Sequence, residues 1–223
     1  YVPRILQNWE ERLLPNMQKR TTKHFDIYYF KDSTVEKELD KIAEDRERGY
    51  SKINDFLGMK SDIRIKLVFF EDGKTKLLET SHQGNGWSYN NTIVEVYNKL
   101  TQLDAFTSAS YILKGYLGDP PALLNYGFSL YMTEHLGAKA LKNLSGRSLS
   151  LYERAKELKE KGQWIQLAEL ITYTDIGPEW SRPPVSYAEA GAFAKFLIDE
   201  YGRDKFLRAY KTLKNSDDKA VQH

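Results

Sequence analysis

Thr107, Ser108 and Tyr111 stand at i, i+1 and i+4 in the stretch TSASY, and Tyr126 follows in LLNYG. Residues i and i+4 of a helix share a face, so Thr107 and Tyr111 lie together with Ser108 offset by one position. These side chains allow two kinds of chemistry. Ser108 or Ser110 is a hydroxyl nucleophile, which needs an adjacent base. Tyr111 or Tyr126 is a phenol able to donate to an oxyanion. The bases on offer are His24, His82, His135 and His223. None is near Ser108 in sequence, and His82, in the loop SHQGNGWSYNN before the strand 92–98, is the one expected near these residues. The chain has no cysteine, which removes disulfides, thiolate ligands and thiol nucleophiles.

Two helices, over 104–117 and 121–136, are expected to carry these residues as a hairpin with a Gly-Asp-Pro-Pro turn. Phe106, Ala109, Leu113 and Tyr116 form the core stripe of the first. Asp119 is expected near the N-cap of the second, with the prolines in its first turn. Antiparallel packing then sets Tyr126 opposite Tyr111. A set at i, i+1 and i+4 plus one residue from the following helix is the layout of an HExxH-type zinc site: two His ligands, a Glu base between them and a third ligand from downstream.

The remaining elements frame the hairpin. Residues 4–16 read as a helix closed by Pro15, and HFDIYYF (24–30) as an alternating strand. Ser33-Thr34 caps a long helix over 35–56 with a stripe through Leu39, Ile42, Tyr50, Ile53 and Phe56, ended by Gly58. IRIKLVFF (63–70) reads as a buried, central strand, a short helix follows near 73–80, and TIVEVYN (92–98) is an alternating strand. Beyond 104 the pattern is helical: 148–161, 166–172, 186–200 capped by Ser186 and ended by Gly202, and 203–214. The loop 173–185 is long and Pro-rich, a lid or a connector. The fold class is therefore α+β: a small mixed sheet packed by helices, then a mostly helical C-terminal half. One domain over 1–223 is expected, with a sheet-containing part over about 22–103 and a helical part over about 104–214.

At this level the chain resembles the peptidase-MA-like gluzincin zinc metallopeptidases. LGDPPALLNYGFSLYMTEHLG (117–137) is similar to that family's segment after HExxH, with Leu124, Asn125, Gly127 and Tyr131 matching. The resemblance places Tyr126 at the third-ligand Glu, Thr107 and Tyr111 at the ligand His positions, and Ser108 at the catalytic Glu. TIVEVYN resembles the family's edge strand that lines the substrate cleft. SYAEAGAFAKFLIDEYGRDKFLRAY (186–210) resembles its downstream helix pair, where Tyr187 stands at a position able to stabilise an oxyanion. The chemistry is missing from this pattern. A phenol with an ordinary pKa of about 10 is a poor zinc ligand, and a Ser hydroxyl does not replace a Glu base. The resemblance thus implies a gluzincin fold without gluzincin catalysis, as a natural pseudoenzyme or a deliberately altered chain. Thr107, Ser108, Tyr111, Tyr126, Tyr187 and His82 are then the pocket-lining residues, with no metal and no cofactor expected. The alternative is a metal-free hydrolase built on Ser108. Glu134, Glu189, Asn98 and Asn125 are further polar candidates.

Composition narrows the partners. Thirty-three basic and 31 acidic residues are interspersed to a net charge of +2, without the basic stripe that nucleic-acid binding needs. No apolar run is long enough to span a membrane. The expected partner is an extended peptide, pairing beside strand 92–98, or a small molecule in the cleft. A start at Tyr1 without a signal-peptide pattern is expected of a mature or trimmed chain. Localisation is left open, an extracytoplasmic bacterial compartment being compatible.

Overall fold

The computed structural model describes residues 4–98, 105–138, 140–141 and 149–214, with the backbone alone for 4–8 and 105–108. The chain divides into two compact units, 1–112 and 113–223, so that the division falls inside one helix.

The first unit holds a five-stranded mixed sheet in the order β1-β2-β3-β5-β4. The strands are β1 (Gln18–Thr21), β2 (Phe25–Tyr29), β3 (Ile65–Phe70), β4 (Gly86–Tyr89) and β5 (Thr92–Val96). β2, β3 and β5 run parallel, and β1 and β4 are added antiparallel at the two ends. Alternation sorts the side chains onto two faces. Trp9 of α1 (Arg4–Leu13) packs with Val68, Phe70 and Val94 on one face, joined by Tyr28, Trp87 and Tyr89. On the other, Tyr50 of α3 (Leu39–Leu57) meets the Phe25 ring edge-on at 5.9 Å, and the Arg46 guanidinium lies 5.6 Å from the Phe69 ring centre. The α+β class is thus observed, and β3 is central as its apolar run implies.

Three expectations in this unit are corrected. The segment 92–98 is not an edge: β5 lies between β3 and β4, all five of its residues are buried, and the edge is β4. β1 and β4 carry no strand signal because Gln-Lys-Arg-Thr is wholly exposed and Gly-Trp-Ser-Tyr only half-buried, so neither shows a clean apolar alternation. The long helix over 35–56 is two: α2 (Thr34–Lys37), capped by Ser33, and α3, with Glu38 breaking between them at φ −110°. A short α4 (Gly73–Thr80) links β3 to β4.

The helix α5 (Ala105–Gly115) runs across the division. The second unit contains α6 (Ala122–His135), α7 (Leu151–Glu160), α8 (Leu167–Leu170), α9 (Pro183–Tyr201) and α10 (Arg203–Thr212). Two helix starts differ from expectation. Asp119 is not the cap of α6; Pro121 is, because residues preceding proline avoid the helical region, which holds Asp119 and Pro120 outside the helix. α9 begins at Pro183 rather than after Ser186. The two prolines suit a first turn, and Ser186 sits inside the helix with its hydroxyl donating to the Arg182 carbonyl. α6 and α9 pack with unusual closeness at Gly127, where a Cβ would lie 2.3 Å from the Ala190 carbonyl oxygen. Among the described residues no helix is long and apolar enough to cross a membrane.

Candidate functional site

In the second unit Tyr126 is the centre of a polar network. It projects half-buried from α6, and its hydroxyl donates to Asp175 Oδ1 at 2.7 Å. The same oxygen accepts the Ile176 N–H at 2.8 Å. Tyr187 of α9 meets the Tyr126 ring edge-on at 5.6 Å. Near the same ring lies Lys114, which is almost fully buried. Its Nζ sits 5.4 Å from the Tyr126 ring centre and donates to the Asn125 carbonyl at 2.9 Å and to Ser129 Oγ at 2.7 Å. Burial pulls this amine well below the ordinary lysine value. Burial first, and then the Asp175 carboxylate, push the Tyr126 phenol upward, so the hydroxyl keeps its proton.

Asp175 belongs to the loop that the sequence left as lid or connector, and the structure pins it. Ile176 is fully buried with Leu123, Ile165 and Leu170. Gly177 N–H donates to the buried Ser181 hydroxyl at 3.0 Å. Arg182, in the left-handed region at φ 51°, donates to the Gln163 carbonyl at 2.7 Å. Tyr126→Phe is therefore expected to cost about 2 kcal/mol, as for a hydrogen bond to a charged acceptor. Urea unfolding measures the loss, and amide exchange should show it at Ile176 before it appears in α6.

Of the other polar candidates of this unit, Glu134 and Glu189 serve the backbone. Glu134 accepts the Leu151 N–H at 2.7 Å, at the start of α7, and Glu189 accepts the Ile165 N–H at 3.0 Å. Burial raises the Glu189 carboxyl above its usual range. Asn125 Oδ1 accepts from the Tyr210 hydroxyl at 3.2 Å. A cavity of about 230 Å³ bounded by Glu134, Gly137, Ala138, Leu149 and Ser150 includes none of the tyrosines.

In the first unit His82 forms a sheet-edge cluster. Its ring stacks on Trp87 at 4.7 Å, and Trp87 stacks on Tyr89 at 4.5 Å. The fully buried Lys76 places Nζ 3.2 Å from His82 Nδ1 and donates to the His82 carbonyl at 3.0 Å. Burial lowers Lys76 to about 8, and burial and then the Lys76 charge lower His82. Because the folded chain releases the Lys76 proton before the unfolded chain does, stability should rise between about pH 8 and the ordinary lysine value, by up to about 3 kcal/mol. Urea midpoints across that range report it, and Lys76→Met should abolish the contribution.

Of the residues selected from sequence, the structure brings together Tyr126 and Tyr187. Tyr111 is half-buried on α5. Thr107 and Ser108 fall on α5, but their side chains lie outside the described residues. Lys114, Asp175 and Lys76 were not singled out. Lys114 offers one signal, a lysine beside the apolar stripe of α5; Asp175 offers none, since only the folded loop delivers it.

The chain matches no family model and no curated protein. The zinc of the family that the chain resembles can still be tested against the residues present. Zinc needs deprotonated oxygen, nitrogen or sulfur donors. The Tyr126 hydroxyl keeps its proton and gives its hydrogen bond to Asp175, and the Lys114 amine beside it acts as a donor. Among the described residues no group of three or more His, Asp or Glu is placed to hold a metal ion. These residues do not fit zinc.

Proposed function

We propose that this chain is a gluzincin-like domain whose catalytic positions have been given over to packing, and that it binds an extended peptide instead of cleaving one. The observation that carries this reading is the 2.7 Å hydrogen bond from Tyr126 to Asp175. The resemblance puts a metal-binding carboxylate at position 126; a protonated phenol there supports a structural role. The binding half rests on β4, whose outer edge pairs with no strand among the described residues. Val96 N–H donates to the Asn85 carbonyl, so by antiparallel alternation Trp87 and Tyr89 bond inward to β5 while Gly86 and Ser88 turn their backbone groups outward. This edge carries no charged side chain, whereas β1 at the other end carries Lys19 and Arg20. An added strand fits the uncharged edge.

The test of the silent-site half is zinc titration. The parent should take up no stoichiometric zinc, and a tightly held equivalent would sink the reading. The variant Thr107→His/Ser108→Glu/Tyr111→His, with two imidazoles at i and i+4 of α5, should gain zinc affinity; a folded variant without that gain means the resemblance is out of register. For the binding half, a random linear-peptide library selected on the parent should return extended sequences whose binding Ser88→Pro abolishes. Sequences kept by Ser88→Pro would place the peptide elsewhere.

A further inference from the structure

The loop from Gln163 to Arg182 is closed at its ends by the Arg182–Gln163 hydrogen bond and sorts its apolar residues between core and surface. Ile165, Leu170 and Ile176 are buried in the unit's core. Trp164, Leu167, Ile171 and Trp180 are left at the surface, each between 45% and 56% exposed. Their exposure has a structural cause. Leu167 and Ile171 are one helical turn apart, joined by the Ile171 N–H bond to the Leu167 carbonyl, so they share a face. Trp180 is braced against Tyr173, ring edge to face at 5.3 Å. The two limbs are tied where Gln163 meets Arg182, next to Trp164 and Trp180. Four large apolar side chains held outward by a pinned loop is the kind of surface that marks an interaction site.

The charges around it select the partner. The segment 163–182 holds Glu169, Asp175 and Glu179 against Arg182 alone, in a chain that is otherwise balanced. Asp175 is turned toward Tyr126, which leaves Glu169 and Glu179 exposed. Arg182 donates to the Gln163 carbonyl and keeps its charge, while the flanking Lys161 is paired with Glu157 at 2.6 Å, so the rim sets two exposed carboxylates against one guanidinium. An acidic rim repels an anionic bilayer, which attracts basic segments. We propose that the outer face of the 163–182 loop docks an amphipathic protein segment that sets basic residues beside its apolar side. Trp164 and Trp180 act as the aromatic anchors, and Glu169 and Glu179 steer the partner's cations.

The test uses the full chain and a fluorescein-labelled helical Lys/Leu peptide of about five turns, with a Glu/Leu peptide of the same period and phosphatidylglycerol vesicles as the other arms. Saturable one-to-one binding of the Lys/Leu peptide is expected. Ile171→Ser/Trp180→Ser should weaken it about tenfold or more. Glu179→Lys should weaken it about threefold at low salt, with the difference lost at high salt. All of these side chains are exposed, so circular dichroism should show the parent fold. The proposal is overturned if the Lys/Leu peptide does not bind, if the Glu/Leu peptide binds as well, if both variants bind like the parent, or if the vesicles are the better ligand and lose binding in Ile171→Ser/Trp180→Ser.

Discussion

Glu95→Ala is expected to destabilise the chain by about 4 kcal/mol, the cost of stripping one partner from a buried ion pair. Arg46 reaches from α3 to β5 in a two-pronged contact, Nη1 to Oε1 at 3.2 Å and Nη2 to Oε2 at 2.6 Å. Both side chains are at most 2% exposed. Removing the carboxylate leaves a guanidinium that cannot lose its charge and cannot reach water. Arg46→Met combined with Glu95→Leu should recover most of the loss, since an apolar pair of similar volume needs no counter-charge. Urea unfolding of the three variants at neutral pH decides the matter; a cost below about 1 kcal/mol for Glu95→Ala would mean that water reaches the pair. Glu95 is also the cross-strand partner of Gly86. The single variant should therefore loosen β4 and weaken any peptide paired with it.

Gly127→Ala is the second large effect. A Cβ at this position would lie 2.3 Å from the Ala190 carbonyl oxygen, 2.9 Å from its carbon and 3.1 Å from the Ala194 Cβ. The nearest obstacle is helix backbone, which a rotamer change does not relieve, so α6 and α9 must part. A loss of about 3 kcal/mol is expected, at the upper end for overpacking. Thermal unfolding measures it, and a control separates the cause. Ala190→Gly should not rescue the variant, because the obstacle is a carbonyl and not a side chain. The separation would also move Tyr126, next in sequence, away from Tyr187, so the Tyr126–Asp175 bond should lengthen in step.

The parts of the fold legible in the sequence were those in which one face is buried. β2 shows a strict buried and half-buried alternation, and β3 a nearly continuous apolar run. Both were readable, as was the cap at Ser33, whose hydroxyl accepts the Glu36 N–H. The edge strands were not, because β1 is exposed throughout and β4 sets only Trp87 and Tyr89 against the core, too short a pattern to show an alternation. The resemblance alone sets β5 at the edge, whereas its Glu95 is folded against Arg46, forty-nine positions earlier, inside the sheet. At the candidate site, Tyr126 and Tyr187 could be singled out by their place in a pattern. Their partners could not, since Asp175 arrives on an irregular loop and the place of Lys114 beside an apolar stripe does not by itself distinguish a buried amine from a solvated one. Gly127 is the exception, a residue picked out by resemblance whose reason is now steric.

The unequal ends of the sheet bear on how the chain behaves when crowded. At β1, Lys19 and Arg20 stand on the edge strand in ion pairs with Asp26 and Asp40, and a strand that approaches must break or bury those pairs. At β4 nothing repels a copy, and the outward groups of Gly86 and Ser88 template whatever extended backbone arrives first. Growth of strand-paired aggregates would therefore be polar. It would start at one end of the sheet and stop at the other after a single pairing of β4 with β4, so that the chain favours dimers over fibres.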